Sequence, residues 1–169
     1  RQTIADLAPI HYHWIDDATI GSIDSDTIIT YLRTIHALNS LLQALGLIDG
    51  GANGGIADGE TMRLMEWNED SIRVNISGVG NHTMNDLQLA TFCTIVDTLD
   101  GDPLLLIYHN YAYFPLQRGT IHSRIQMQDA GVKIDDTIPA LGGCGYITVD
   151  DHRIPLTFKN GLPYIQQRM

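Results

Sequence analysis

A chain of 169 residues, 44% of them hydrophobic, is long enough to bury one core and short for two. Twenty acidic residues against ten basic ones leave a net charge of −10, which opposes direct nucleic-acid binding because each phosphate contact wants a Lys or Arg. Cys93 and Cys144 stand far apart in no Cys-x-x-Cys spacing, so neither a disulfide framework nor a zinc site is indicated, and a reducing compartment is the default. No apolar run approaches a membrane span and no signal-peptide core follows Arg1, so the expectation is an excised, soluble, intracellular segment with no membrane partner. The Asn75-Ile76-Ser77 and Asn81-His82-Thr83 sequons carry meaning only in a secreted protein and are set aside.

Residues 1–30 hold Pro9, the cluster His11, Tyr12, His13, Trp14 and a Ser/Asp run with no sustained period, which reads as a linker or N-terminal arm before a domain over 31–169. His11 and His13 fit one face of a strand and a metal, but no third ligand is near, so no metal and no cofactor are expected. Over 26–45 the apolar residues fit either a helix capped by Ser25 or Asp26 or two short strands around Asn39-Ser40. Leu47-Ile48 then delivers Asp49 into a turn made of Gly50, Gly51, Ala52, Asn53, Gly54 and Gly55. Ile72, Val74 and Ile76 alternate with polar residues, Ser77, Gly78, Val79 and Gly80 form a hairpin tip, and Leu87 to Val96 resumes the apolar pattern. Pro103–Tyr108 reads as a buried central strand after the Asp100-Gly101-Asp102 turn. Ser123 caps a short helix through Gln128 that Gly131 ends, and further turns fall at Arg118-Gly119, Gly142-Gly143, Asp150-Asp151 and Asn160-Gly161. Short strands between glycine turns predict a mainly β fold, a small barrel or sandwich with one helix.

An Asp followed by glycines has two readings: an ordinary turn in which the carboxylate bonds its own backbone, or the presentation of a catalytic acid. Asp58 and Glu60 read as exposed acids of an acidic chain, and Asp135-Asp136 and Asp150-Asp151 as solvated turns. Cys93 lies in an apolar run where a thiol packs, and no Gly-x-Ser-x-Gly turn points to serine chemistry.

The order Asp49-Gly50-Gly51-Ala52, hairpin Gly78-Val79-Gly80, then Thr120-Ile121-His122-Ser123 with its helix resembles the retropepsin-like aspartic peptidases. Asp49 to Gly55, Tyr111-Ala112-Tyr113, Thr120 to Ser123 and Ile154 to Tyr164 resemble, in more detail, the protease-like segment of LTR-retrotransposon polyproteins, over about residues 47 to 165. The resemblance implies a retropepsin-like small closed β-barrel, catalysis by Asp49 with an active-site turn of Gly50, Gly51, Ala52 and Asn53, a substrate-binding flap of Ser77, Gly78, Val79 and Gly80, a homodimer, and a polypeptide substrate. Three positions depart from it: Gly50 replaces the Thr or Ser whose hydroxyl bonds across the dimer, Asn53 replaces Asp, and His122 replaces Gly. The alternative within the same family is a catalytically inactive scaffold or dimerisation domain.

Overall fold

The computed structural model describes residues 11–14, 44–68, 72–78, 83–116 and 119–168. They form a mainly β molecule. In chain order the strands are β1 (His11–Trp14), β2 (Ala44–Asp49), β3 (Ile56–Ala57), β4 (Arg63–Trp67), β5 (Arg73–Ser77), β6 (Thr83–Asp97), β7 (Pro103–Tyr113), β8 (Ile121–Ser123), β9 (Lys133–Asp135), β10 (Tyr146–Val149), β11 (His152–Lys159) and β12 (Leu162–Gln167). Helix α1 (Arg124–Asp129) follows β8 directly.

The sheet runs β4-β6-β7-β3-β8-β2-β12-β11-β10-β9, with β1 added to β7 and β5 to β6. It curls into a half-barrel, and an isolated bridge between Ile95 and Arg168 brings β6 back to the residue just past β12. The backbone N–H groups of Ile95 and Arg168 donate to each other's carbonyls at 3.0 and 2.8 Å. His11–Trp14, within the arm predicted over 1–30, is paired strand against Leu104–Ile107. Of the 26–45 segment, Ala44 and Leu45 belong to β2 and not to a helix; the rest lies outside the described residues.

β6 and β7 form the wall of the core, and period 2 sorts their side chains. Phe92, Val96, Leu104, Leu106 and Tyr108 face the main core, whereas Cys93, Ile95, Leu105 and Ile107 form a second cluster. That is why Pro103–Tyr108 reads as a continuous apolar run: both faces are covered. The alternation then breaks. Ala90 pairs with Tyr111 but Phe92 pairs with Tyr108, so β7 carries one extra residue, and Asn110 takes it up at φ 58°. The bulge turns Tyr108 and Tyr111, three positions apart, into the same core, where both are fully buried.

The turns at Asp150-Asp151 and Asn160-Gly161 join β10 to β11 and β11 to β12 through two residues each, with φ 48° at Asp150 and 51° and 78° at Asn160 and Gly161. At Asn160-Gly161, positive φ at both central residues is the twist-matched hairpin turn that Asn-Gly favours.

Candidate active site

Asp49 is the last residue of β2, half-buried, and pairs in parallel register with Ser123 of β8. Its Oδ1 accepts the Gly51 N–H at 2.8 Å, so the carboxylate is oriented by its own turn. Gly50, Gly51 and Asn53 are exposed. The far side of the turn is fastened to the start of α1. Ser123 Oγ donates to the Ala52 carbonyl at 2.7 Å and accepts the Gln126 N–H at 3.1 Å, which makes it the helix cap as well as a loop anchor. Gln126 Oε1 accepts the Gly55 N–H at 3.0 Å, and its Nε2 donates to the His109 carbonyl at 3.4 Å. Both anchoring side chains are buried.

Around the Asp49 strand and turn, two glycines are demanded by contact. A Cβ on Gly55 would lie 2.3 Å from the Tyr111 ring, and one on Gly46 would lie 2.3 Å from His122 Nε2. Gly50 is different: the nearest atom to a Cβ there is Arg124 Cδ at 3.9 Å, so a side chain fits. Arg124 itself pairs with Asp136 at 3.2 Å, a partly exposed contact worth roughly 0–1 kcal/mol.

His122 lies behind the Asp49 strand. It is fully buried, its Nδ1 3.0 Å from the Tyr111 hydroxyl and its Nε2 3.2 Å from Gln167 Nε2, with the Tyr108 ring centroid 4.9 Å away. Desolvation pushes its pKa down to about 3 against the weaker upward pull of Gln167, so the ring is neutral near pH 7. His122 is thus a structural histidine, hydrogen-bonded just before the helix start. Cys93 is likewise inert, its thiol raised to about 11 by burial in the face of a smaller downward pull from Arg63.

Asp58 corrects an expectation. It is 2% exposed, not a solvated acid. Its Oδ1 accepts the Glu60 and Thr61 N–H groups at 3.0 and 2.8 Å and the Thr61 hydroxyl at 2.8 Å, while Oδ2 accepts the Gly119 N–H at 2.8 Å. Such a carboxylate fastens the 58–61 turn to the approach to β8. Asp135 and Asp136 are also more than turn residues: Asp136 holds Arg124, and Asp135 is shifted below the usual carboxylate range by N–H donors of Cys144 first and Thr137 second.

The predicted flap falls on the β5–β6 hairpin. Ser77 pairs with Thr83, and Ser77 and Gly78 are exposed; Val79 and Gly80 lie outside the described residues. None of β5 and none of the 83–88 part of β6 is buried. A bulge interrupts it at Asp86, φ 60°. The backbone groups this frees are taken by side chains from β5: Asn75 Oδ1 accepts the Asp86 N–H at 2.9 Å and Arg73 Nη1 donates to the Asp86 carbonyl at 2.9 Å.

The anchoring roles of Gln126 and Asp58 were not foreseen from the sequence. A signal for the first was present, because Ser123-Arg124-Ile125-Gln126 has the Ser-x-x-Gln spacing of a capping box. Here the Gln side chain reaches Gly55, across the fold, instead of the cap residue. Among the described residues no group of three His, Cys, Asp or Glu side chains is placed to hold a metal ion, and no helix is long and apolar enough to cross a membrane. Compared with protein-family models, curated proteins and solved structures, the chain matches none.

Proposed function

We propose that the chain is a retropepsin-like aspartic endopeptidase domain of a retroelement-type polyprotein, hydrolysing peptide bonds through Asp49 and Asp49 of a second, identical subunit. The observation that carries the reading is a half-buried carboxylate at a strand end, seated on a loop that buried Ser123 and Gln126 fasten to a helix start. The β5–β6 hairpin supports it, since its position in the chain and the exposed Ser77 and Gly78 at the end of β5 suit a cover over an extended substrate.

The chemistry needs two carboxylates sharing one proton, because close like charges cannot both ionise. Asp58 is not the second, since its oxygens already accept four donors. A two-fold axis supplies it instead. The ionised Asp49 takes a proton from water, which attacks the scissile carbonyl; the protonated partner stabilises the oxyanion, and protons then pass to the leaving amine.

Two features favour a second reading, a catalytically silent scaffold of the same fold: Gly50 has no hydroxyl to bond across a dimer, and the Asp49 carboxylate bonds its own backbone at Gly51, as in an ordinary turn. Cleavage of a peptide library from about pH 4 to about pH 7, with Asp49→Ala and a statine-type inhibitor alongside, separates the two. Turnover abolished by both supports the peptidase. A folded dimer without turnover supports the scaffold.

A further inference from the structure

Asn or Asp precedes Gly at Asp49-Gly50, Asn53-Gly54, Asp58-Gly59, Asp100-Gly101 and Asn160-Gly161 in the described chain. Each pair has the composition for succinimide formation, in which the glycine nitrogen attacks the preceding side-chain carbonyl carbon; glycine permits it because no Cβ restricts the backbone rotation that brings the two together. The fold separates the five. Asp49, Asp58 and Asp100 present carboxylates, which are poor electrophiles once ionised, and two of them are further held: Asp49 by the Gly51 N–H, Asp58 by its four donors. Asn160 presents a reactive amide, but it sits at φ 51° in a two-residue turn whose ends, Lys159 and Leu162, are paired, so its backbone cannot rotate without opening the hairpin. Asn53 is the exception on each count. It is a neutral amide, it is exposed, and neither its side chain nor the Gly54 N–H makes a hydrogen bond among the described residues. A Cβ built on Gly54 meets nothing within 4 Å, so the space around the attacking nitrogen is open.

We propose that Asn53-Gly54 is a site of spontaneous modification, at which Asn53 is converted through a succinimide to an aspartyl or isoaspartyl residue. Gly54 N loses its proton to solvent and bonds to Asn53 Cγ; the bond from Cγ to the side-chain nitrogen breaks, and ammonia leaves with a proton from water. Water then adds to the ring. Opening at Cγ gives the aspartyl form, and opening at the backbone carbonyl gives the isoaspartyl form, whose chain runs through the former side chain. Overall, one amide and one water become one carboxylate and ammonium, with no oxidant or reductant. The position of the site matters because the loop is fastened on both sides, at Ala52 by Ser123 and at Gly55 by Gln126. An extra methylene between those two anchors strains the loop that bears Asp49, and either product adds a negative charge to it. The chemistry stands whether or not Asp49 is catalytic.

The test is peptide mapping by mass spectrometry of the folded chain held at neutral pH and body temperature, with fragmentation that distinguishes aspartyl from isoaspartyl products. A free peptide covering residues 50–56 and the Gly54→Ala variant are run in parallel. Both products are expected at position 53, accumulating several-fold faster than at Asn160, and slowed about tenfold in Gly54→Ala by the added backbone restriction. Because position 54 has open space and no positive φ, that variant folds as the parent does. An unchanged Asn53 in the folded chain while the free peptide converts overturns the proposal, as does conversion at Asn160 that equals or exceeds that at Asn53.

Discussion

The Asp49 loop and the β5–β6 hairpin are both glycine-bearing turns, yet they are held in opposite ways. The loop is short of regular pairing but is fastened by buried side chains, Ser123 and Gln126, that arrive from a different part of the chain. The hairpin has ladder pairing but no buried residue among those described over 72–88, and its side-chain ties, Arg73 and Asn75 on Asp86, come from within the hairpin itself. Strength of hold is therefore expected to follow burial of the tie and not the presence of a β ladder. A charge-assisted contact in water is worth a fraction of the same contact in the core.

That contrast can be broken most forcefully at its base. Gly46→Ala drives a Cβ into His122 and Gln167, side chains locked in the core, and is expected to destabilise the fold by about 3 kcal/mol or more in chemical denaturation. Gln126→Leu leaves the Gly55 N–H without its buried acceptor, at about 2 kcal/mol, and hydrogen exchange at Gly55 should rise while the hairpin amides are unaffected. His122 adds a pH test of the same region. Its pKa falls from 6.5 to about 3 on folding, so the unfolded chain binds the proton more readily; this contribution is fully present above pH 6.5 and is lost as pH falls toward 3. His122→Gln is expected to remove that part of the slope in a pH series of unfolding curves. Arg73→Ala, by contrast, should cost less than about 0.5 kcal/mol, yet speed exchange in the hairpin alone. Smallest in stability is Gly50→Thr, for which there is room beside Arg124. Sedimentation should show no loss of folding, and under the peptidase reading a greater dimer fraction, since the added hydroxyl supplies a cross-dimer hydrogen bond.

The sequence was most legible where the determinants are local. Ser123 as a helix cap, Gly131 at φ 88° after the helix, and Asn160-Gly161 as a hairpin turn each depend on neighbours a few residues away. The Cys93 face and the buried Pro103–Tyr108 run were readable from an unbroken apolar pattern. What could not be read depends on a single extra residue or on distant partners. The bulge at Asn110 reverses which side of β7 faces inward, so Tyr111 enters the core against the alternation. Asp58 reads as a surface acid in the sequence because its fourth donor, the Gly119 N–H, is 61 residues away. Gln126 likewise crosses 71 residues to reach Gly55. Among the described residues the path of the sheet ends at β4 and β9, and the Ile95–Arg168 bridge ties β6 to the residue just past β12.

The placing of β2 between β8 and β12 has a consequence for the order of events during synthesis. Neither flanking strand exists when residues 44–49 leave the ribosome, and the second is complete only at residue 167. Strand pairing over such separations is slow even in a finished chain, because the intervening loop must close before any contact rewards it. The Asp49 turn is therefore assembled among the last parts of the domain. A chain interrupted before β12 holds the acid and its ties to Ser123 and Gln126 but lacks the strand on the other side of β2, so the frame of Asp49 is completed only when β12 has emerged.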